Sequence, residues 1–138
     1  MAYRSDIRVI TTKDGFEELK KIINQRIEEN LGIYNPLEYI EINKKFKDIV
    51  YIGWNYIRLS DTEFIDEVVN SLKDKDITYR IAILGESIND IEENYHTAEK
   101  DDKRYIPYPS IKRDFDEKDM NRLLKEYIKE LDETENEL

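Results

Sequence analysis

The chain has 138 residues, no cysteine and a net charge of −10, with 39% apolar and 39% charged residues. That length suits one domain with its own core, and the absence of cysteine excludes disulfides, thiolate nucleophiles and cysteine metal sites. Strong acidity repels phosphate, so direct nucleic-acid binding is not expected, and no apolar run approaches the length of a membrane span.

Taken in chain order, the segment from Asp6 to Thr12 is β-rich, with Ile7 and Val9 alternating, and reads as a strand. Asp14 stands three residues before Glu17 in the spacing of a capping box. Phe16, Leu19, Ile23 and Ile27 then share one helical face, and Gly32 is a natural stop. Leu37 to Ile42 alternates as a short strand, and the "NKKFKD" that follows reads as a polar turn. Ile49 to Leu59 is the strongest strand signal, and Gly53 inside it suggests a bulge or a close approach. Ser60 and Glu63 form a second capping-box pattern, followed by Phe64, Ile65, Val68, Val69 and Leu72 on one helical face. Thr78 to Leu84 reads as a further strand.

The resulting order β-α-β-β-α-β predicts an α+β domain: a ferredoxin-like split βαβ antiparallel sheet with both helices on one face. Tyr105 to Ile111 is an extended, proline-containing run. Met120, Leu123, Leu124, Tyr127, Ile128 and Leu131 then mark an amphipathic helix that must bury its stripe on the core or on a second subunit. Residues 1–113 are therefore expected to form an α+β core with an acidic loop at 86–102. Residues 114–138 are expected to form the C-terminal helix and a frayed acidic tail.

Charge is uneven. Residues 1–85 hold 13 bases and 15 acids, whereas residues 86–102 hold seven acids and one lysine. The next eleven residues carry four bases and no acid, and residues 114–138 hold ten acids and four bases. The stretch "GESINDIEENYH", Gly85 to His96, opens the acidic part and ends on the only histidine. Its acids lack the glycine and the spacing of a calcium loop, and one histidine is too few for a transition-metal site. No nucleophile elbow or phosphate loop is present. The expectation is a protein that is not an enzyme, with no catalytic, cofactor-binding or metal residues.

Two binding surfaces stand out. Glu86, Asp90, Glu92 and Glu93 are candidates for docking a partner with a basic surface. The open face of the sheet offers a ligand face of Arg8, Trp54, Tyr56, Arg58 and Arg80, since arginines beside aromatics suit a nucleotide. The competing reading has the C-terminal segment covering that face, with its acids pairing the arginines.

The opening "MAYRSDIRVITT" resembles the Met-Gly-Tyr-Arg-Ser-Asp-Val start of a group of small acidic proteins of bacteriophages, prophages and plasmids. In that group a tryptophan-bearing strand precedes a helix, a Tyr-x-Phe-x-Arg-Ile-Gly-Glu strand and an Asp-Asp-Ile-Glu-Glu block. Here those parts read "WNYIRLSDTEFIDEVVNSL", "YRIAILGES" and "NDIEENYH". Ala2 replaces a glycine, Ile83-Leu84 stands where the group has Arg-Ile, and Asn89-Asp90 replaces two aspartates. The resemblance implies a mobile-element accessory protein in the host bacterial cytoplasm, without a settled biochemical activity. It leads to the expectation of an anti-defence inhibitor, anti-CRISPR or similar, that binds a host defence protein directly. The alternative is a sponge for a small nucleotide immune signal, as a homodimer or larger homo-oligomer.

Overall fold

Strand alternation and helix periodicity in this chain produce an α+β architecture of five antiparallel strands and three helices. A computed structural model describes residues 3–30, 34–87, 89–111 and 115–137, with side chains through residue 133. The elements are β1 (Arg4–Thr12), α1 (Lys13–Glu29), β2 (Ile42–Phe46), β3 (Ile49–Arg58), α2 (Leu59–Asn70), β4 (Tyr79–Leu84), β5 (Ile91–His96) and α3 (Glu117–Glu137). Short 3-10 turns occupy Pro36–Tyr39, Ser71–Lys75 and Glu99–Asp101. The strand order is β2-β3-β1-β4-β5, with every neighbouring pair antiparallel.

The period of two splits the sheet into two buried faces. On one, Ile7, Val9, Val50, Ile52, Trp54, Tyr79, Ile81 and Ile83 meet Phe16, Leu19 and Ile23 of α1 and Ile65, Val68 and Val69 of α2. On the other, Ile10, Ile49 and Tyr51 meet Ile106 and the Met120, Leu124 and Tyr127 stripe of α3. The C-terminal helix thus buries its apolar face on its own sheet. Removing that much apolar surface from water contributes roughly 25 cal/mol per Å², before the opposing chain entropy.

Several local expectations are corrected. Leu37 to Ile42 is not a strand: Pro36 starts a 3-10 turn, capped by Asn35 Oδ1 accepting from Leu37 N at 3.1 Å. The strand lies one step later, in the supposed polar turn "NKKFKD", because Ile42, Lys44 and Phe46 alternate toward the sheet face while Asn43 and Lys45 point to solvent. A two-residue turn at Lys47-Asp48 follows, with Lys47 at φ 55.

Neither capping box forms. Thr12 caps α1 by accepting from Gly15 N at 3.0 Å, and α2 begins at Leu59 directly after β3 with no side-chain cap bond. The bulge in β3 lies at Asn55-Tyr56 rather than at Gly53: Tyr56 takes φ 56, and its N–H donates to Asp6 Oδ1 at 2.8 Å. The acidic loop expected for 86–102 contains β5, a six-residue ladder against β4. The helix α3 continues through the stretch expected to fray, and Lys47 forms an ion pair with Asp132. The expected stop at Gly32 lies outside the described residues.

Candidate functional site

The arginine and aromatic face anticipated on the open sheet is closed. Arg8 is only 4% exposed and lies between Gly53 and Ala82 on the neighbouring strands. Its Nε donates to Glu117 Oε1 at 2.8 Å, and its Nη1 donates to the carbonyls of Ile7 and Trp54 at 3.0 and 3.1 Å. The guanidinium carbon sits 4.6 Å from the centre of the Phe115 ring. Tyr51 Oη donates to the same Glu117 oxygen at 3.1 Å. Burial, and then the Glu117 carboxylate, push the Tyr51 hydroxyl pKa well above its ordinary value.

Arg80, 5% exposed, is held in the same manner. Its Nη1 donates to Tyr79 O and His96 O at 3.0 and 3.1 Å, and its Nη2 to Thr97 Oγ1 at 3.0 Å. Tyr108 and Tyr95 flank the guanidinium, with ring centres 4.8 and 5.6 Å from its central carbon. Both arginines therefore serve as fasteners for the C-terminal segment, which covers this face with its own carboxylate and rings.

The other three residues of that proposed face are scattered. Trp54 points to the opposite side of the sheet, fully buried, and its Nε1 donates to Pro36 O at 2.8 Å. The shift at the bulge leaves Tyr56 exposed at the strand end under Arg4. Arg58 is exposed and pairs with Asp61 at 3.1 Å. The five residues form no common surface, because the strand alternation and the bulge send them to different sides.

The four acidic docking candidates also divide. Glu86 Oε1 accepts from Arg4 N at 2.8 Å beside the exposed Tyr56 end. Glu92 pairs with Ile83 and Glu93 with Ala82, so the two project to opposite faces of β5. Asp90 lies with Tyr3 against Gly85, where any β carbon would collide with both side chains. Only Asp90 and Glu92 come together. His96, at the end of the strand, is tied down structurally: its Nε2 meets Asp76 Oδ1 at 2.8 Å. That bond, helped by the Glu99 N–H, holds the Asp76 carboxyl pKa below the usual range.

Asp90 and Glu92 line a cleft of about 390 Å³ between α2 and the β4–β5 side of the sheet. The helix contributes Leu59, Thr62, Glu63 and Asp66, at the spacing of a single helical face. The floor comes from Ser5 and Ile83, with Tyr3 closing one end. The helix α2 packs on β1, β3 and β4, and the cleft opens beside it toward β5 at the end of the sheet order. Among the described residues, no lysine or arginine lines it.

Ser5 is 3% exposed, and its Oγ has no hydrogen-bond partner among the described residues. Asp66 accepts from Asn70 Nδ2 at 2.7 Å. Burial first, and Glu92 second, raise the Asp66 pKa above the usual carboxylate value, while the Asn70 bond partly opposes them.

Sequence reading missed Ser5, Thr62 and Asp66. The available signal was the polar strip at positions 62, 63 and 66 beside the apolar stripe of α2. Among the described residues, no group of three or more acidic, histidine or cysteine side chains is placed to hold a metal ion. No described helix is long and apolar enough to cross a membrane. Comparison with protein-family models, curated proteins and solved structures returns no match.

Proposed function

We propose that this protein acts by binding rather than catalysis, as a mobile-element accessory protein that inhibits a host defence system of the anti-CRISPR kind. The observation that carries this reading is β5. It is the last strand of the sheet order, and five of its six residues, Ile91 to Tyr95, are exposed. Edge strands present unpaired backbone donors and acceptors, and a partner can add to them. Here Glu92 and Glu93 flank the edge on both faces, so a partner with a basic surface is favoured and an acidic edge is repelled.

Chain order and strand order support a more specific fold reading. The strands β1 to β4, in the order β2-β3-β1-β4, together with α1 and α2, fit a ferredoxin-like split βαβ unit to which β5 is an added edge. The sponge alternative loses its support, since the arginines that would hold a nucleotide are engaged by Glu117, Tyr95 and Tyr108.

The test is a plating assay in bacteria carrying a defined CRISPR system, with and without the protein. Expression should raise phage plating, and the protein should capture a defence component at low salt that high salt releases. Replacing Glu92 and Glu93 together by lysine should abolish both effects. Unchanged plating with no captured defence protein would sink the proposal.

A further inference from the structure

We infer that the cleft between α2 and β5 is a receptor for a guanidinium group, supplied by an arginine side chain of a basic protein partner. This rests on the docking reading only in naming a partner protein as the source of the arginine.

Three observations converge on that chemistry. First, the rim carries Glu63, Asp66, Asp90 and Glu92, with no lysine or arginine among the described lining residues. Second, the buried Ser5 hydroxyl at the floor is left without a partner among the described residues. An orphaned buried hydroxyl is costly to keep, so an incoming polar group that bonds to it gains where a satisfied hydroxyl would not. On β1, Ser5 shares a face with Ile7 and Val9, which is the face turned toward α2. Third, the walls combine apolar and acidic parts: Leu59 and Ile83 suit the methylene stem of a long side chain, and the acids suit its head.

A guanidinium fits these demands better than a metal ion or an ammonium. The carboxylates are not gathered for a metal. An ammonium offers three donors around one point, whereas a guanidinium spreads five donors in a plane and can serve separated acceptors at once. The Asp66 pKa is raised first by burial and second by Glu92, and a bound cation would relieve the second of these.

The experiment is an amide NMR titration of the full chain with the peptide acetyl-Gly-Arg-Gly-amide, run beside its citrulline counterpart, which keeps the shape and loses the charge. The arginine peptide should shift Ser5, Thr62, Asp66 and Glu92 saturably, and the citrulline peptide should not. Asp66→Asn should weaken binding by about tenfold, the factor that one charge-assisted hydrogen bond is worth. Ser5→Ala should weaken the peptide while raising the melting temperature, because it removes an unsatisfied group. That opposition of sign separates a binding role from a purely structural one.

Shifts scattered over α3 as much as over the cleft, equal response to citrulline, or no response at all would overturn the inference. A silent peptide titration with defence-protein capture intact would end the cleft assignment alone. Saturable peptide binding with no captured partner would support the cleft and end the docking reading.

Discussion

Gly53 and Arg8 face each other across β3 and β1, and the glycine is there because the arginine lies over it. A β carbon at position 53 would come within 2.6 Å of Arg8 Cδ and 2.8 Å of Nη1. Arg8 cannot retreat without giving up Glu117 and the two carbonyls it serves. Gly53→Ala is therefore expected to destabilise the fold by about 1–3 kcal/mol, as overpacking of a full site does. Urea denaturation measures it. An unchanged midpoint would show that the arginine moves freely.

Arg80 performs the corresponding work on the outer part of the sheet. Tyr95 and Tyr108, themselves edge-to-face at 5.7 Å, enclose it and fix the extended segment to β4 and β5. Arg80→Lys keeps the charge but loses the flat ring contacts and the forked donors. The expected cost is about 1–2 kcal/mol, with faster proteolysis at residues 105–110. Cleavage rates matching those of the unaltered protein would argue against the fastening role.

Asp66 and Asp76 should titrate on opposite sides of the ordinary aspartate value of 3.8. Asp66 is raised by burial and by Glu92, so its stabilising contribution is present below the unfolded pKa and lost as pH rises through the folded one. Asp76 is depressed, chiefly by His96, so its contribution is present above the unfolded pKa and lost as pH falls through the folded one. Carboxyl carbon NMR should order the two residues in this way. Asp66→Asn should raise stability at pH 7, and the gain should fade in acid; Asp76→Asn should lower it at pH 7. The reverse order of titration would contradict the geometry of both sites.

Much of this fold was legible in the sequence where burial imposes a period. The strands β1 and β4 carry apolar residues on alternate positions, β3 is a continuous apolar run buried on both faces, and α1, α2 and α3 carry apolar stripes at helical spacing. The edges were not legible, for a physical reason. Residues of β5 are solvated on nearly every side, so "IEENYH" shows no apolar alternation although it pairs fully with β4. Lysines in β2 likewise disguised an edge strand as a turn. The cleft followed the same pattern. Asp90 and Glu92 were visible as acids, but Ser5 and Asp66 come to one cleft only because α2 packs across β1 and β4, which no local period encodes. Arg8 and Arg80 lie on the face that strand alternation assigns them, Arg58 past the bulge pairs with Asp61 instead, and the covering segment, with Glu117, Phe115 and Tyr108, decides what the first two do.

The docking of α3 can be read through a single hydroxyl. Tyr51 lies under the helix, donates to Glu117 at 3.1 Å, and has its pKa driven upward by burial. A raised tyrosine contributes stability that is present below its unfolded pKa and lost as pH rises through the folded one. Leu124 is fully buried in the same cluster beside Met120 and Tyr127. Leu124→Ala should remove about 2–4 kcal/mol, since a cavity would form where the helix meets the sheet. If the helix then lifts, water reaches Tyr51 and its ionisation should move down toward about 10, the ordinary tyrosine value. Absorbance titration of Leu124→Ala against Leu124→Ala with Tyr51→Phe isolates that one group. A large loss of stability with the Tyr51 transition unmoved would mean that α3 stays seated and the cost is confined to the cavity.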